Sequence, residues 1–473
     1  MPQSKDFSYL LSEEAKRRNL SPLKTAFKYF GLPDLVFLGG GLPLSDYFPW
    51  NEVSANSPAA PFSQGIAAKP ENADDGTITK ITKTDGTIPL SKSLQYGYTE
   101  GQIPLMEFVT EHTRIVHNVP YDDWKCIATI GNTQAWDGIL RAFCDKGDSI
   151  LAEEYTFPSS MEAASAQGVN IVPIDMDDFG IIPQLLDEKL STWEGKRPKL
   201  LYTIPTGQNP TGSSLSFERR KEILKIAQKY DFLIIEDEPY YFLQMEPYTE
   251  DLETRKKIGV HSHQEFLDSL VKSFISIDTE GRVLRLDSAS KVLAPGVRFG
   301  WIVGQEKLLE RLIRLHEVSI QAPSGFSQAI IHGTLSQWGQ EGYLDWLIGL
   351  RHEYTEKRDV AIDTVAKNFP SEVTSFIPPV AGMFFTVKLD ASKHPKFATE
   401  FEKDPLKVEN AIYEMALEKG CLMIPGSWFS IKLTSEQKDT HIFFRGTYAA
   451  VPLDKLVIGL ERFGAAVKDS FQL

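Results

Sequence analysis

Lys291 ends the run Asp287-Ser288-Ala289-Ser290-Lys291, and Arg298 follows seven residues later. A lysine amine can form a Schiff base with a carbonyl cofactor. The hydroxyls of Ser288 and Ser290 and the guanidinium of Arg298 suit an anion, and a phosphate fits that donor set best. Taken alone, a lysine in a polar loop is far more often a solvated surface residue, so other residues must decide. Glu236-Asp237-Glu238-Pro239-Tyr240-Tyr241 follows the apolar run Phe232-Leu233-Ile234-Ile235. A carboxylate placed there is costly to bury unless it meets a cation or a donor. A pyridinium nitrogen would be such a partner. Gly131-Asn132-Thr133 can offer backbone amides to an anion at a helix start. It matches neither the dinucleotide glycine pattern nor a Walker loop. Gln208-Asn209-Pro210-Thr211-Gly212 has turn chemistry. Gly39-Gly40-Gly41 is either a plain turn or backbone that must come close to a ligand.

These residues fall at the ends of elements. Strands are expected at 126–129, 149–152, 170–174, 199–203 and 232–235, with helices over 135–144, 159–167 and 216–230 between them. Two further strands flank the lysine loop, at 282–286 and 299–304. This alternation implies an α/β chain with a largely parallel, doubly wound sheet, whose ligands bind at the carboxyl ends of its strands. A helix is also expected over 105–116. Val36-Phe37-Leu38 is expected as a short strand running into the glycines, and residues 55–89, rich in Ser, Pro, Gly, Asp and Thr, as an irregular connection. Beyond Gly339 the pattern changes, with helices over 343–366 and 408–419 and strands at 384–387 and 442–445. Ser21-Pro22-Leu23-Lys24 has a helix start's cap and proline.

Composition narrows the function. The 473 residues carry a net charge of −14, which argues against a nucleic-acid partner but allows a local basic pocket. Length alone favours two domains. The three cysteines (Cys126, Cys144, Cys421) are far apart in the sequence and have no metal spacing, so no metal and a reduced, cytoplasmic setting are expected. No apolar run is long enough to span a membrane, and the N-terminus mixes acids with bases, unlike a targeting segment.

Asn209-Pro210-Thr211-Gly212, Asp237 with Tyr240, Ser288-Ala289-Ser290-Lys291 and Arg298, in that order and at those intervals, resemble the pyridoxal-phosphate aminotransferases of the aspartate-aminotransferase fold (fold type I). The likeness runs from about Ser21 to the C-terminus. Ser21-Pro22-Leu23-Lys24, Gly39-Gly40-Gly41-Leu42-Pro43, Leu94-Gln95-Tyr96, Glu236 to Gln244 and Phe444-Arg445-Gly446-Thr447-Tyr448 carry a nearer likeness, to fungal aromatic aminotransferases and the kynurenine/2-aminoadipate aminotransferases.

The resemblance implies a large cofactor domain over 94–338. A smaller, discontinuous α+β domain is implied from 339–473, joined by the N-terminal segment 1–93. It implies that Lys291 binds pyridoxal 5'-phosphate covalently and moves the proton. Asp237 would hold the ring nitrogen, Tyr240 and Asn209 the ring oxygen, and Phe157 would stack on the ring. Asn132, Thr133, Ser288, Ser290 and Arg298 would surround the phosphate, joined by Tyr96 from a neighbouring subunit, hence a homodimer with shared sites. Arg445, Gly40 and Asn209 would take the substrate, Arg445 binding its α-carboxylate. Lys24 falls where 2-aminoadipate relatives are basic, and would meet a distal carboxylate. The bond before Pro210 is expected to be cis. The implied activity is transamination between aromatic, and 2-aminoadipate-like, L-amino acids and 2-oxoglutarate. A lyase on the same fold is the alternative within the cofactor class. A ligand-sensing regulator is another, but the stretch before Gly39 is short for a DNA-binding domain.

Overall fold

The computed structural model describes residues 2–22, 29, 32–36, 38–63, 65–67, 76–259, 262–432 and 440–473. The chain divides into two compact units, Met1–Asp148 with Gln167–Val169 and Lys272–Trp346, and Ser149–Ala166 with Asn170–Val271 and Leu347–Leu473.

In the first unit the strand Gly300–Gln305 lies between Trp124–Thr129 and Val283–Ser288 and runs against both. Its neighbours therefore run the same way. Gly300 pairs with Ser288 on one side and Thr129 on the other. The carboxyl ends of the two outer strands thus emerge together, which brings the Ser288 turn beside the Gly131 turn. The sequence pattern gave these strands but not this direction, because both hairpin and crossover connections fit an apolar run. The helices Asn132–Phe143 and Glu306–His316 belong to the same unit.

The unit also holds a two-stranded antiparallel ribbon, Glu52–Pro58 with Gly76–Thr82. Sequence reasoning expected irregular chain there. Thr77-Ile78-Thr79-Lys80-Ile81-Thr82 alternates with period two, and its buried side is Thr79 and Ile81. The strand expected around Val36 is not formed among the described residues. Val36 and Leu38 stand 78% and 89% exposed.

In the second unit four parallel strands lie in the order Leu233–Asp237, Leu200–Thr203, Ser149–Glu153, Asn170–Ile174. The first three are buried along nearly their whole length, as a sheet covered on both faces requires. Ser216 caps the helix Phe217–Tyr230 by accepting from Arg219 N. A second, antiparallel sheet places Phe384–Asp390 and His441–Thr447 side by side, with Thr374–Ser375 and Ile424–Pro425 at its edges. Its strands alternate. Phe385, Val387, Leu389, Ile442 and Phe444 enter a core with the helices Pro405–Glu418 and Leu453–Phe471. Phe384, Thr386, Phe443 and Arg445 take the opposite face. That alternation sets the direction of Arg445.

The helix Gly325–Asn368 is broken at Gly339, where φ is 66°. No helix among the described residues is long and apolar enough to cross a membrane.

Candidate active site

The lysine loop is tied down at both ends. Arg285 and Asp287, both buried, form a two-pronged pair at 2.8 Å and 2.8 Å just before Ser288. Ala289 N donates to Phe299 O, and Trp346 Nε1 donates to Val292 O at 2.6 Å. Ser288 Oγ accepts from Ser290 N at 3.1 Å. Lys291 is half-buried, and burial first, then the charge of Arg298, lowers its pKa below that of an ordinary lysine. An amine so placed is a better nucleophile near neutrality than a surface lysine.

Arg298 sits in the left-handed region at φ 48°. Its Nη1 donates to Pro295 O at 2.9 Å and to Ser290 Oγ at 3.3 Å, and its Nη2 donates to Ile130 O at 2.9 Å. It therefore lies across the Gly131 turn. Gly131 has φ +107°, and a Cβ there would come within 2.6 Å of Arg298 Nη2. The positive φ favours glycine there, and a Cβ would push the guanidinium aside. Gly131 is also the N-cap of Asn132–Phe143, and no side chain caps that end. Asn132 Nδ2 donates to Leu286 O at 3.0 Å, and Thr133 is exposed in the first turn. The turn, Ser290 and Arg298 thus form one cationic cradle in this unit, of the kind a phosphate dianion takes.

The second unit carries the other predicted residues. Asp237 closes its strand, buried, and its Oδ2 accepts from the Tyr202 hydroxyl at 2.6 Å. Tyr240 is buried nearby, its phenol pushed up by burial and then by the Asp237 charge. The Asn209–Pro210 bond is cis, as the resemblance implied. Asn209 Oδ1 accepts from Arg445 Nη1 at 2.7 Å. The Arg445 guanidinium lies 4.4 Å from the ring centre of Phe384 and 4.6 Å from that of Phe429. Desolvation lowers its pKa, yet an arginine stays charged. Rings on a guanidinium shield it from water and leave its edge for a carboxylate.

The Asn209 turn is held from below. Gln208 Nε2 donates to Glu153 Oε2 at 3.0 Å and to Tyr155 O at 2.7 Å, and its Oε1 accepts from Thr211 N and Thr211 Oγ1. Gly207, at φ +57°, passes so close to Gly382 that a Cβ would fall 2.5 Å from its Cα. Fully buried Arg220 reaches Glu236 at 3.4 Å and Glu238 at 3.2 Å, and also donates to Pro205 O and Leu215 O. Cutting such a buried ion group on one side costs about 3–5 kcal/mol.

Phe157 is half-buried before the helix Pro158–Ala166 and accepts from Ser160 N at 3.1 Å. Tyr96 and Gly40 are exposed in the first unit, and Lys24 lies outside the described residues. Sequence reasoning missed Tyr202, Ser160, Glu153, Phe384 and Phe429. Tyr202, Ser160 and Phe384 sit inside runs that read as ordinary strand or helix, and Glu153 directly follows the strand expected at 149–152. Phe384 is revealed only by register: Thr386 pairs with Arg445, so Phe384 shares its face.

Residues 56–463 match the model of the family "Aminotransferase class I and II". An aromatic amino acid aminotransferase of Schizosaccharomyces pombe is 41% identical, over 99% of both chains. An L-tyrosine:2-oxoglutarate aminotransferase of Serpula lacrymans is 33% identical over 90% of this chain and 84% of its own. A crystal structure of the aminotransferase Aro8 from Candida albicans is similar over 100% of both chains, with 61% identity and a TM-score of 0.96. The chain therefore belongs to the class I and II aminotransferases and has their α/β, aspartate-aminotransferase-like fold.

Proposed function

We propose that the chain transfers the amino group of aromatic L-amino acids to 2-oxoglutarate, giving the 2-oxo acid and L-glutamate. Relatives along the whole chain carry names for aromatic amino acid and tyrosine transamination. The observation that carries the reading is Arg445. It is a half-buried guanidinium between two phenyl rings, fixed by Asn209. An α-carboxylate is common to every donor and acceptor, and a two-pronged arginine pairs with it.

Pyridoxal 5'-phosphate fits the residues on two observations. The Gly131 turn with Ser290 and Arg298 makes a dianion cradle that a Cβ would fill. Asp237 is a buried carboxylate at a strand end, which suits a ring cation. When bound, the cofactor supplies the carbonyl that carries the amino group and a ring that takes up the electron pair released at the substrate's Cα. Lys291 would hold it covalently, then take and return the Cα proton. Asp237 would hold the ring nitrogen's proton, and Tyr240 and Asn209 would bind the ring oxygen. Phe157 would cover the ring face, and Asn132, Thr133, Ser288, Ser290 and Arg298 would bind the phosphate. Gly40 would lie against the substrate.

The working unit in this reading is a cytoplasmic homodimer, with Tyr96 serving the partner's phosphate. Tyr96 is 57% exposed, and Leu38, Leu44 and Tyr47 are exposed apolar residues of the kind a second copy covers. Lys24 would extend the donor range to 2-aminoadipate. The test is a donor panel on the purified enzyme with 2-oxoglutarate: Phe, Tyr, Trp, kynurenine, 2-aminoadipate, Leu and Met. Glutamate formation with the highest kcat/KM for Phe, Tyr or Trp is expected. No glutamate from any aromatic donor would overturn the reading.

A further inference from the structure

Tyr202 is fully buried, and its hydroxyl donates to Asp237 Oδ2 at 2.6 Å. Ser160 Oγ donates to the same hydroxyl at 2.9 Å. Strand register explains the meeting. Tyr202 pairs with Ile235 in the parallel ladder, so Asp237, two residues on, faces the same side of the sheet. The helix Pro158–Ala166 supplies Ser160, also buried. The three groups form a chain with one direction. Burial first, then the Asp237 charge, pushes the Tyr202 phenol well above its ordinary pKa. It keeps its single proton, commits that proton to the carboxylate, and accepts from Ser160 with a lone pair.

The opposite side of the same strands carries other hydrogen bonds. Thr203 Oγ1 donates to Glu153 there at 2.6 Å. Nothing in the proposed reaction uses Tyr202 or Ser160, and an apolar ring would fill the same volume. A buried hydroxyl pair is kept at a cost unless its direction matters.

We propose that Tyr202 is a positioning residue for Asp237, with Ser160 orienting Tyr202 in turn. The phenol pins one carboxylate oxygen so that the carboxylate presents a fixed edge to the ring nitrogen. This rests on the reading of Asp237 given under the proposed function. Loss of the phenol lets the carboxylate turn and weakens its hold on the ring cation. The ring then withdraws electrons less, and the nitrogen joined to Lys291 becomes more basic.

The test uses apoprotein reconstituted with pyridoxal 5'-phosphate. Tyr202→Phe should raise the Kd for the cofactor roughly tenfold, the usual effect of losing a hydrogen bond to a charged group. The pH midpoint of the bound cofactor's visible absorption should move up, in the direction Asp237→Asn moves it but by less. The kcat should fall while KM for 2-oxoglutarate holds. Ser160→Ala should give a smaller shift of the same sign, which keeps the test open if Tyr202→Phe does not fold. In Asp237→Asn, adding Tyr202→Phe should change the midpoint no further, because Tyr202 acts through Asp237. A folded Tyr202→Phe with wild-type Kd and midpoint would overturn the inference alone. Failure of the wild-type protein to take up pyridoxal 5'-phosphate would overturn the reading beneath it as well.

Discussion

Arg445 is aromatic-walled and tied to Asn209, so it suits the carboxylate that all substrates share. The distal end is a different problem. 2-Oxoglutarate brings a second carboxylate to the place where an aromatic donor brings a neutral ring. A fixed arginine there would be left unpaired beside the ring, which is costly when water is excluded. A lysine on a long stem can meet the carboxylate and withdraw to water for the ring. Lys24 is proposed for that task. Lys24→Met should lower kcat/KM for 2-oxoglutarate and 2-aminoadipate about three- to tenfold, the scale of a partly exposed ion pair. Phenylalanine should be spared. Half-reactions measured separately for the three substrates decide it, and equal losses or none would return Lys24 to a solvated role.

The parallel strands of the second unit act on both faces, and their second face can be tested by pH. Glu153 accepts from Thr203 Oγ1, Ile204 N and Gln208 Nε2. Burial outweighs those donors and raises its carboxyl from 4.5 to about 7, with the charge of Asp237 adding to the rise. A folded-state pKa above the unfolded one means the native protein holds the proton more tightly. The contribution is therefore whole below about pH 4.5 and is lost as pH rises through 7. At most about 3 kcal/mol is involved. Thermal unfolding of wild type and Glu153→Gln at pH 5 and pH 8 should show a smaller pH difference in the variant. An identical difference in both would show that Glu153 is ionised throughout.

These same strands mark what could be read in advance. Asp237, Asn209 and Lys291 were legible through the order and spacing of their short motifs, which resemble a known family, since each motif alone reads as a turn or a surface loop. Tyr202 and Glu153 were not, since a tyrosine or a terminal glutamate is ordinary in a strand. Their roles come from register between segments remote in sequence. The direction of Gly300–Gln305 was hidden for the same reason. The ribbon Glu52–Pro58 with Gly76–Thr82 was hidden because turn-rich composition in residues 55–89 masked its alternation.

At the scale of the whole molecule the proposal is a dimer with shared sites. If Tyr96 serves the partner's phosphate, Tyr96→Ala and Lys291→Ala damage different protomers of one site. A hybrid dimer then contains one intact site and one doubly damaged site. Mixing the two impaired variants under exchange should add as much as about a quarter of wild-type activity on random pairing. Activity no greater than the sum of the separate variants would show that Tyr96 serves its own chain or none.

The central claim is that Lys291 is the amine that carries the cofactor, in a loop braced by Arg285–Asp287 and Trp346 and beside the Arg298 cradle. Borohydride reduction of the protein loaded with pyridoxal 5'-phosphate, followed by peptide mapping, tests it most directly. The account predicts a single pyridoxyl label, on Lys291, and none in Lys291→Ala. A label on another lysine, or none in the wild type, would contradict it.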